Sequence, residues 1–304
     1  MTLPPQTIYS RIGDARLRST VVMVLFTLFI GGVVYVITLA LGGTWAFAVV
    51  ALVLAALYAS GSYYYSDRLV LGISGAREIS HEENRELFHI VENLCIGSGL
   101  PLPKVYVIDD SAPNAFATGR DPQHASIAVT QGLLDKLDKL QLEGVIAHEL
   151  SHVRNYDIRL ATIAVVLVGL VALLTDLFLR YTWWGAGARR SNEGRGGSAG
   201  AAILLLAIIL AVLAPIVAKL LQLALSRQRE YLADASGALL TRYPEGLAGA
   251  LEKISADPEP LEVANKATAH LYITNPLKGH ESWLNNLFST HPPIEKRVAA
   301  LRAM

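Results

Sequence analysis

The chain begins with a long apolar region that predicts a membrane hairpin. No charged residue occurs from position 19 to position 66, and one membrane-spanning helix needs about 20 apolar residues. A Gly-Gly pair at 42–43 predicts a tight turn, so the pattern favours two helices at about 20–41 and 45–65. Consecutive tyrosines end the second helix, and such amphipathic rings favour the membrane–water interface.

Mixed polar and apolar residues follow from position 67 to position 157 and predict a water-facing α+β region. The helical spacing of apolar residues over 79–98 predicts an amphipathic helix. Two runs rich in β-branched residues, 104–108 and 125–130, predict strands. Residues 133–155 predict one or two further helices.

A second apolar pair, at 160–179 and 201–225, is less uniform than the first. Asp176 lies in one segment and Lys219 in the other, and ionisable side chains in lipid are costly. The Gly-rich stretch 185–200 separates the two segments and predicts a flexible loop. Full membrane spanning and buried or half-inserted helices are both compatible with this pattern.

The arginines of the N-terminal tail predict the orientation in the membrane. Arg11, Arg16 and Arg18 precede the first apolar helix, and positively charged flanks favour the cytoplasmic side. A hairpin returns the chain to the side on which it began. The polar regions are therefore predicted to face the cytoplasm.

Composition supports a membrane protein and limits the chemistry. The 304 residues are 52% hydrophobic and 17% charged, whereas soluble domains carry about a quarter charged residues. The net charge of zero excludes a global basic footprint for nucleic acid. The single cysteine, Cys95, cannot form an internal disulfide or a thiolate cluster, so a metal site must use histidine and carboxylate.

The pentapeptide HELSH at 148–152 is the most informative chemical pattern. On a helix, His148 and His152 share one face and can bind the same ion, with Glu149 beside them as a candidate general base. Chance produces this pattern in about one chain in a hundred of this histidine content. The alternative is a pair of surface histidines on a helix.

A third metal ligand is needed, because catalytic zinc has three protein ligands and one open position. Glu230 and Asp234 lie one helical turn apart after the last apolar segment. One could bind the metal while the other accepts a proton from a ligand histidine. The spacing also permits an exposed helix face on which Glu230 pairs with Arg227 or Arg229.

Three motifs in order, HELSH, SRQREYLADASGA and STHPPIEKR, resemble the HtpX family of membrane metallopeptidases, which is related to the CAAX prenyl endopeptidases. The resemblance extends over nearly the whole chain. It implies one Zn²⁺ per subunit, bound by His148, His152 and Glu230. It further implies that Glu149 is the general base and that Asp234 contacts a ligand histidine.

Two further elements resemble substrate-binding parts of this family. Asn114 begins an NAF element beside the edge strand that holds extended substrate, and 125–130 is the predicted edge. His291, in the HPP segment, could donate a hydrogen bond to the oxyanion or substrate backbone, and Arg297 could support the same region. The alternatives are a turn for Asn114, and a helix cap followed by a solvated helix face for the HPP segment.

These patterns predict an α+β fold, a mostly helical, gluzincin-like zincin domain with a small β-sheet and about four transmembrane helices. The predicted segments are the hairpin (1–66), the first catalytic part (67–159), the second helix pair (160–226) and the second catalytic part (227–304). The resemblance implies a zinc-dependent endopeptidase of the bacterial inner membrane that clears damaged membrane proteins. Its partners are then the membrane and protein or peptide substrates, with no nucleic acid.

Two rival functions share parts of this pattern. A prenyl-protein processing enzyme would use the same chemistry on C-terminal tails, but that family has more membrane helices. A membrane zinc-binding or scaffold protein without catalysis would need the three ligands but not Glu149. The glutamate inside the pentapeptide therefore favours an enzyme.

Overall fold

The computed structural model describes residues 64–163, 165, 227–263, 268–274, 276 and 292–304, with scattered positions between 21 and 61. Most residues of the four predicted membrane segments lie outside this part of the chain, as do the Gly-rich loop and His291. Within the described residues, no helix combines the length and the apolar character that a membrane crossing requires. Membrane spanning and the division into four segments therefore stay predictions.

The described residues form helices around one small sheet. Their bounds in chain order are α1 Ser66–Ile73, β1 Arg77–Glu78, α2 Arg85–Ser98, β2 Lys104–Ile108, β3 Ala115–Gly119, a 3₁₀ turn Pro122–His124, β4 Ala125–Thr130, α3 Gln131–Lys136, α4 Lys139–Arg154, α5 Arg227–Thr241, α6 Pro244–Ala256, a 3₁₀ turn Ala269–Leu271, and α7 Ile294–Arg302. A further helical stretch occupies residues 157–163. The mostly helical α+β architecture agrees with the prediction.

The sheet has the strand order β1-β2-β4-β3. Strands β2 and β4 are parallel, and the outer pairs β1–β2 and β3–β4 are antiparallel. The bounds of β2 and β4 match the predicted strands, but β4 lies inside the sheet. The prediction that 125–130 forms the edge is therefore wrong. The small residues of β3 (AFATG) lack a β-branched run, so this edge strand was not anticipated.

Local caps set where the helices begin. Helix α2 begins at Arg85, later than the predicted start at 79, because the Asn84 side chain caps it by accepting from the Leu87 N–H at 3.0 Å. The predicted helical region 133–155 is two helices. Asp138 separates them, since its side chain and that of Gln141 form a capping box at the start of α4.

Helix α4 is the centre of the core and packs against α2, α5, α6 and β3. Two glycines allow its closest approaches. A Cβ on Gly144 would lie 2.6 Å from the backbone nitrogen of Leu247 in α6, and one on Gly237 of α5 would lie 3.0 Å from that of His148. The second approach brings α5 directly against the HELSH sequence.

We expect Gly144→Ala to destabilise the protein and Gly97→Ala to leave stability unchanged or slightly raised. Alanine gains about 0.5–1 kcal/mol of helix propensity at either site. At Gly144 the added methyl would overlap the α6 backbone, and overpacking of this kind costs about 1–3 kcal/mol. At Gly97 the nearest atom is a Leu240 methyl at 3.5 Å. Thermal unfolding of the detergent-purified variants measures the difference, and equal melting temperatures would contradict this packing.

Candidate metal centre

Two imidazoles on α4 face the same point. His148 and His152 are one turn apart, and their Nε2 atoms are separated by 3.2 Å. Their rings are nearly perpendicular, at 88°, with centroids 4.7 Å apart. His148 is fully buried and His152 is partly buried. This arrangement excludes the alternative of two exposed surface histidines.

Glu230 on α5 completes a group of three ligand atoms. Its carboxylate oxygens lie 3.8 Å from Nε2 of His148 and 3.5 Å from Nε2 of His152. Zinc ligands lie about 2.0–2.1 Å from the metal, so tetrahedral neighbours are about 3.4 Å apart. The three donors therefore fit one tetrahedral metal ion. Glu230 is only 5% exposed, which excludes the exposed helix face left open by the spacing.

Asp234 and Arg297 lie beside His148, and Nη1 of Arg297 is also 3.6 Å from Oε2 of Glu230. Oδ1 of Asp234 lies 2.9 Å from Nδ1 of His148. Arg297 donates to both Asp234 oxygens, from Nε at 2.8 Å and from Nη2 at 2.7 Å. Burial raises the pKa of Asp234, but the hydrogen bonds from Arg297 and His148 outweigh it and hold the pKa below its usual range.

Asp157 contacts the other imidazole and was not predicted. Its Oδ2 lies 3.2 Å from Nδ1 of His152, and its Oδ1 lies 3.1 Å from Nη1 of Arg229 on α5. Helix α4 ends at Arg154, and Tyr156 has a left-handed φ of 59°. This turn brings Asp157 back against the ring, at a spacing that no helical pattern reveals. The sequence feature that could have indicated this contact is the acidic Asp157, three positions after the last residue of α4.

Glu149 lies between the two imidazoles in sequence and is almost completely buried. Burial raises the pKa of its carboxyl, and the charge of Glu230 raises it further. The charge of His152 and a backbone hydrogen bond from Ala117 of β3 oppose this effect, and the resulting pKa is about 7. A carboxyl with this pKa can both accept and return a proton near neutral pH.

The pKa values of the two imidazoles shift in opposite directions. Burial lowers the pKa of His148, and this effect exceeds the opposing influence of Asp234. Burial also lowers that of His152, but the hydrogen bond to Asp157 and the charges of Glu230 and Asp157 raise it to about 9. A metal ion binds only the neutral ring, so metal binding would release this proton.

Two of the remaining predicted residues, Asn114 and Arg297, are buried. Asn114 is buried beside β3, and its Nδ2 donates to the Thr274 carbonyl oxygen at 3.3 Å. Arg297 is fully buried, so the alternative of a solvated helix face is wrong. Its Nη1 donates to the Ile273 carbonyl oxygen at 3.0 Å. His291 lies outside the described residues, and its role stays a prediction.

The model of peptidase family M48 matches residues 81–304. The chain belongs to peptidase family M48. The match includes both helices of the candidate metal centre. The family supports a metallopeptidase, and the cluster of His148, His152 and Glu230 could hold its metal ion.

Relatives of this M48 chain confirm the resemblance to the HtpX family. A protein named "Protease HtpX homolog" from Dictyoglomus thermophilum is 53% identical over 243 residues, which cover 80% of this chain and 77% of the relative. A protein of the same name from Tropheryma whipplei (strain Twist) is 47% identical over 97% of this chain and 98% of its own. The structure of S. mikatae Ste24p has a TM-score of 0.49 at 20% identity, covering 97% of this chain and 66% of that one.

Substitutions can separate the metal ligand from the supporting carboxylates. We expect Glu230→Ala to purify with little metal, because two imidazoles are too few for a stable catalytic site. Asp234→Asn and Asp157→Asn should retain a metal that binds about 10- to 100-fold more weakly, because each histidine remains but is less well oriented. Metal analysis and competition with a chelator measure both effects.

Asp135→Asn is the control for this series, since Asp135 is an exposed aspartate on α3 and does not belong to the ligand group. Its metal affinity should equal that of the parent. Normal affinity in Glu230→Ala would mean that the third ligand lies elsewhere. A complete loss in Asp234→Asn with full retention in Glu230→Ala would reverse the two assignments.

Proposed function

We propose that this protein is a membrane-embedded, zinc-dependent endopeptidase that hydrolyses peptide bonds of damaged membrane proteins. The observation that carries the proposal is the buried carboxylate of Glu149 next to a three-ligand group. A site that only stored or sensed a metal would not need this fourth group. His148, His152 and Glu230 would hold the zinc, as the donor set and its spacing support.

Zinc bound by these ligands supplies a Lewis acid that polarises the scissile carbonyl. Glu149 removes a proton from the attacking water and returns it to the leaving amine nitrogen. Burial of Glu149 supports both steps, because it raises the pKa of the carboxyl to about 7, and such a group can accept and release a proton at neutral pH. The Ala117 N–H holds the carboxylate toward β3.

The edge strand β3 offers a place for an extended peptide. Edge strands bind peptides by strand addition through their outward N–H and C=O groups. One end of this edge is occupied, since the Ala115 carbonyl oxygen accepts from the Ile273 N–H at 3.0 Å. At the other end, the Gly119 N–H donates to the Thr162 hydroxyl at 3.4 Å. Because the Ala117 N–H is held by Glu149, a substrate N–H would donate to the Ala117 carbonyl oxygen, beside Glu149.

The membrane location and the substrate class rest on the sequence and the relatives. The uncharged stretch from 19 to 66 is long enough for two spans, and several relatives are named as HtpX-type proteases. We place the chain in the bacterial inner membrane with the metal centre on the cytoplasmic side. Unfolded segments of membrane proteins are the substrates that such a site would reach.

Glu149→Gln should abolish hydrolysis, because the glutamine amide cannot accept the proton of the attacking water. About one zinc per chain should remain bound, because position 149 is not among the three proposed ligands. Glu143→Gln on the same helix is the control and should cleave normally, since Glu143 is partly buried and outside the ligand group. Cleavage of an unfolded membrane substrate by zinc-loaded protein in detergent gives the rates. Undiminished cleavage by Glu149→Gln would sink this mechanism.

The predicted topology can be tested by cysteine labelling, with the buried Cys95 as the only background thiol. Cysteines at Arg16, Glu143 and Glu262 should all react only with reagents that reach the cytoplasm. The reason is that an even number of crossings separates these positions in the proposed arrangement. Labelling of Glu143→Cys from the periplasm would refute the orientation inferred from the N-terminal arginines.

A further inference from the structure

A cavity of about 690 Å³ lies where the end of the N-terminal apolar region meets the sheet. Described positions from 57 to 65 line one side of it. The other side consists of β2, the first residues of β4 and the loop that follows β3. The cavity shares no residue with the candidate metal centre. Its volume is within the range typical of small-molecule binding sites.

Two arginine–tyrosine stacks lie at this cavity. The guanidinium carbon of Arg120 is 5.2 Å from the centre of the Tyr64 ring, and that of Arg68 is 5.6 Å from the centre of the Tyr65 ring. Nη1 of Arg120 also donates to the Tyr64 carbonyl oxygen at 3.2 Å. A guanidinium has five N–H donors, so these contacts orient the groups without exhausting them.

More basic than acidic side chains line the cavity. Asp67 is the one acidic residue of the described lining, against the basic residues Arg68, Lys104 and Arg120. Glu78 pairs with Lys104 at 3.0 Å and offsets part of its charge. Asp121 lies 3.7 Å from Nε of Arg120 and likewise offsets part of its charge. The planar guanidinium groups of Arg68 and Arg120 still line the cavity. Guanidinium groups bind phosphate oxygens with paired hydrogen bonds.

Exposed apolar side chains at described positions of the N-terminal apolar region precede the same cavity. Val49, Val50, Val53 and Leu57 lie at helical spacing, and each exposes half or more of its surface. Leu57 also lines the cavity. An exposed apolar stripe of this kind suits acyl chains better than water. The cavity thus combines an apolar approach with basic, aromatic walls.

We propose that this cavity binds an anionic phospholipid. The phosphate group contacts Arg68 and Arg120, and the acyl chains lie along the stripe that ends at Leu57. Tyrosines favour the headgroup level of a membrane, and basic pockets on the cytoplasmic side bind anionic headgroups. The inference rests on the proposed function only for the membrane location of this helix.

Calorimetric titration of the full-length protein in a neutral detergent tests the proposal. The probes are dihexanoyl phosphatidylglycerol, dihexanoyl phosphatidylcholine and glycerol phosphate. We expect phosphatidylglycerol to bind about 30-fold more tightly than phosphatidylcholine, as two arginines near an anionic headgroup would provide. Glycerol phosphate should bind more weakly than phosphatidylglycerol, because it lacks the acyl chains.

Arg68→Gln/Arg120→Gln should lose the preference for phosphatidylglycerol, and Arg68→Lys/Arg120→Lys should retain most of it. The charge-matched control is Arg85→Gln/Lys139→Gln, two exposed residues outside the cavity, and it should bind like the parent. Melting temperatures establish that the variants are folded. Binding requires no cleavage, so an inactive peptidase would not affect this outcome.

Three results would overturn the proposal. Equal affinity of the parent for the two lipids would remove the role of the headgroup charge. An equal loss of affinity in the control variant would show a general charge effect rather than a site. Equal affinity for glycerol phosphate and phosphatidylglycerol would identify a soluble phosphate ester as the ligand instead of a lipid.

Discussion

The buried ion pair between Arg297 and Asp234 is the interaction on which the metal centre depends. Arg297 is fully buried on α7, Asp234 lies on α5, and Asp234 in turn contacts His148 on α4. A buried arginine without its partner is strongly unfavourable, and breaking such a pair costs about 3–5 kcal/mol. Because Arg297 also binds the Ile273 carbonyl oxygen, the same group joins three helices to the segment beside β3.

A second chain of contacts has the same chemistry on the other imidazole. Asp157 contacts His152, and Arg229 contacts Asp157. Each candidate ligand histidine thus has an aspartate at its outer nitrogen and an arginine behind that aspartate. The two arginines come from α5 and α7, so the position of α4 is set from two sides. These contacts orient both rings toward the third ligand, because a carboxylate at the outer nitrogen fixes the orientation of a ligand imidazole.

Much of this arrangement follows from short-range sequence patterns. The spacing of His148 and His152 places both on one helix face, and the β-branched runs predict β2 and β4 with correct bounds. The edge of the sheet was misassigned because strand order is a long-range property and the residues of β3 are small. The role of Asp157 depends on a left-handed turn at Tyr156. No periodic pattern in the sequence encodes such a turn.

The order of the parts along the chain has a consequence for synthesis. The ribosome releases α4 first, then α5, and α7 only after every other described element of the centre. Until α7 docks, Asp234 lacks its buried arginine and the group around His148 is electrostatically incomplete. The support that Asp234 gives to His148 is therefore complete only after the last of these three helices has been made.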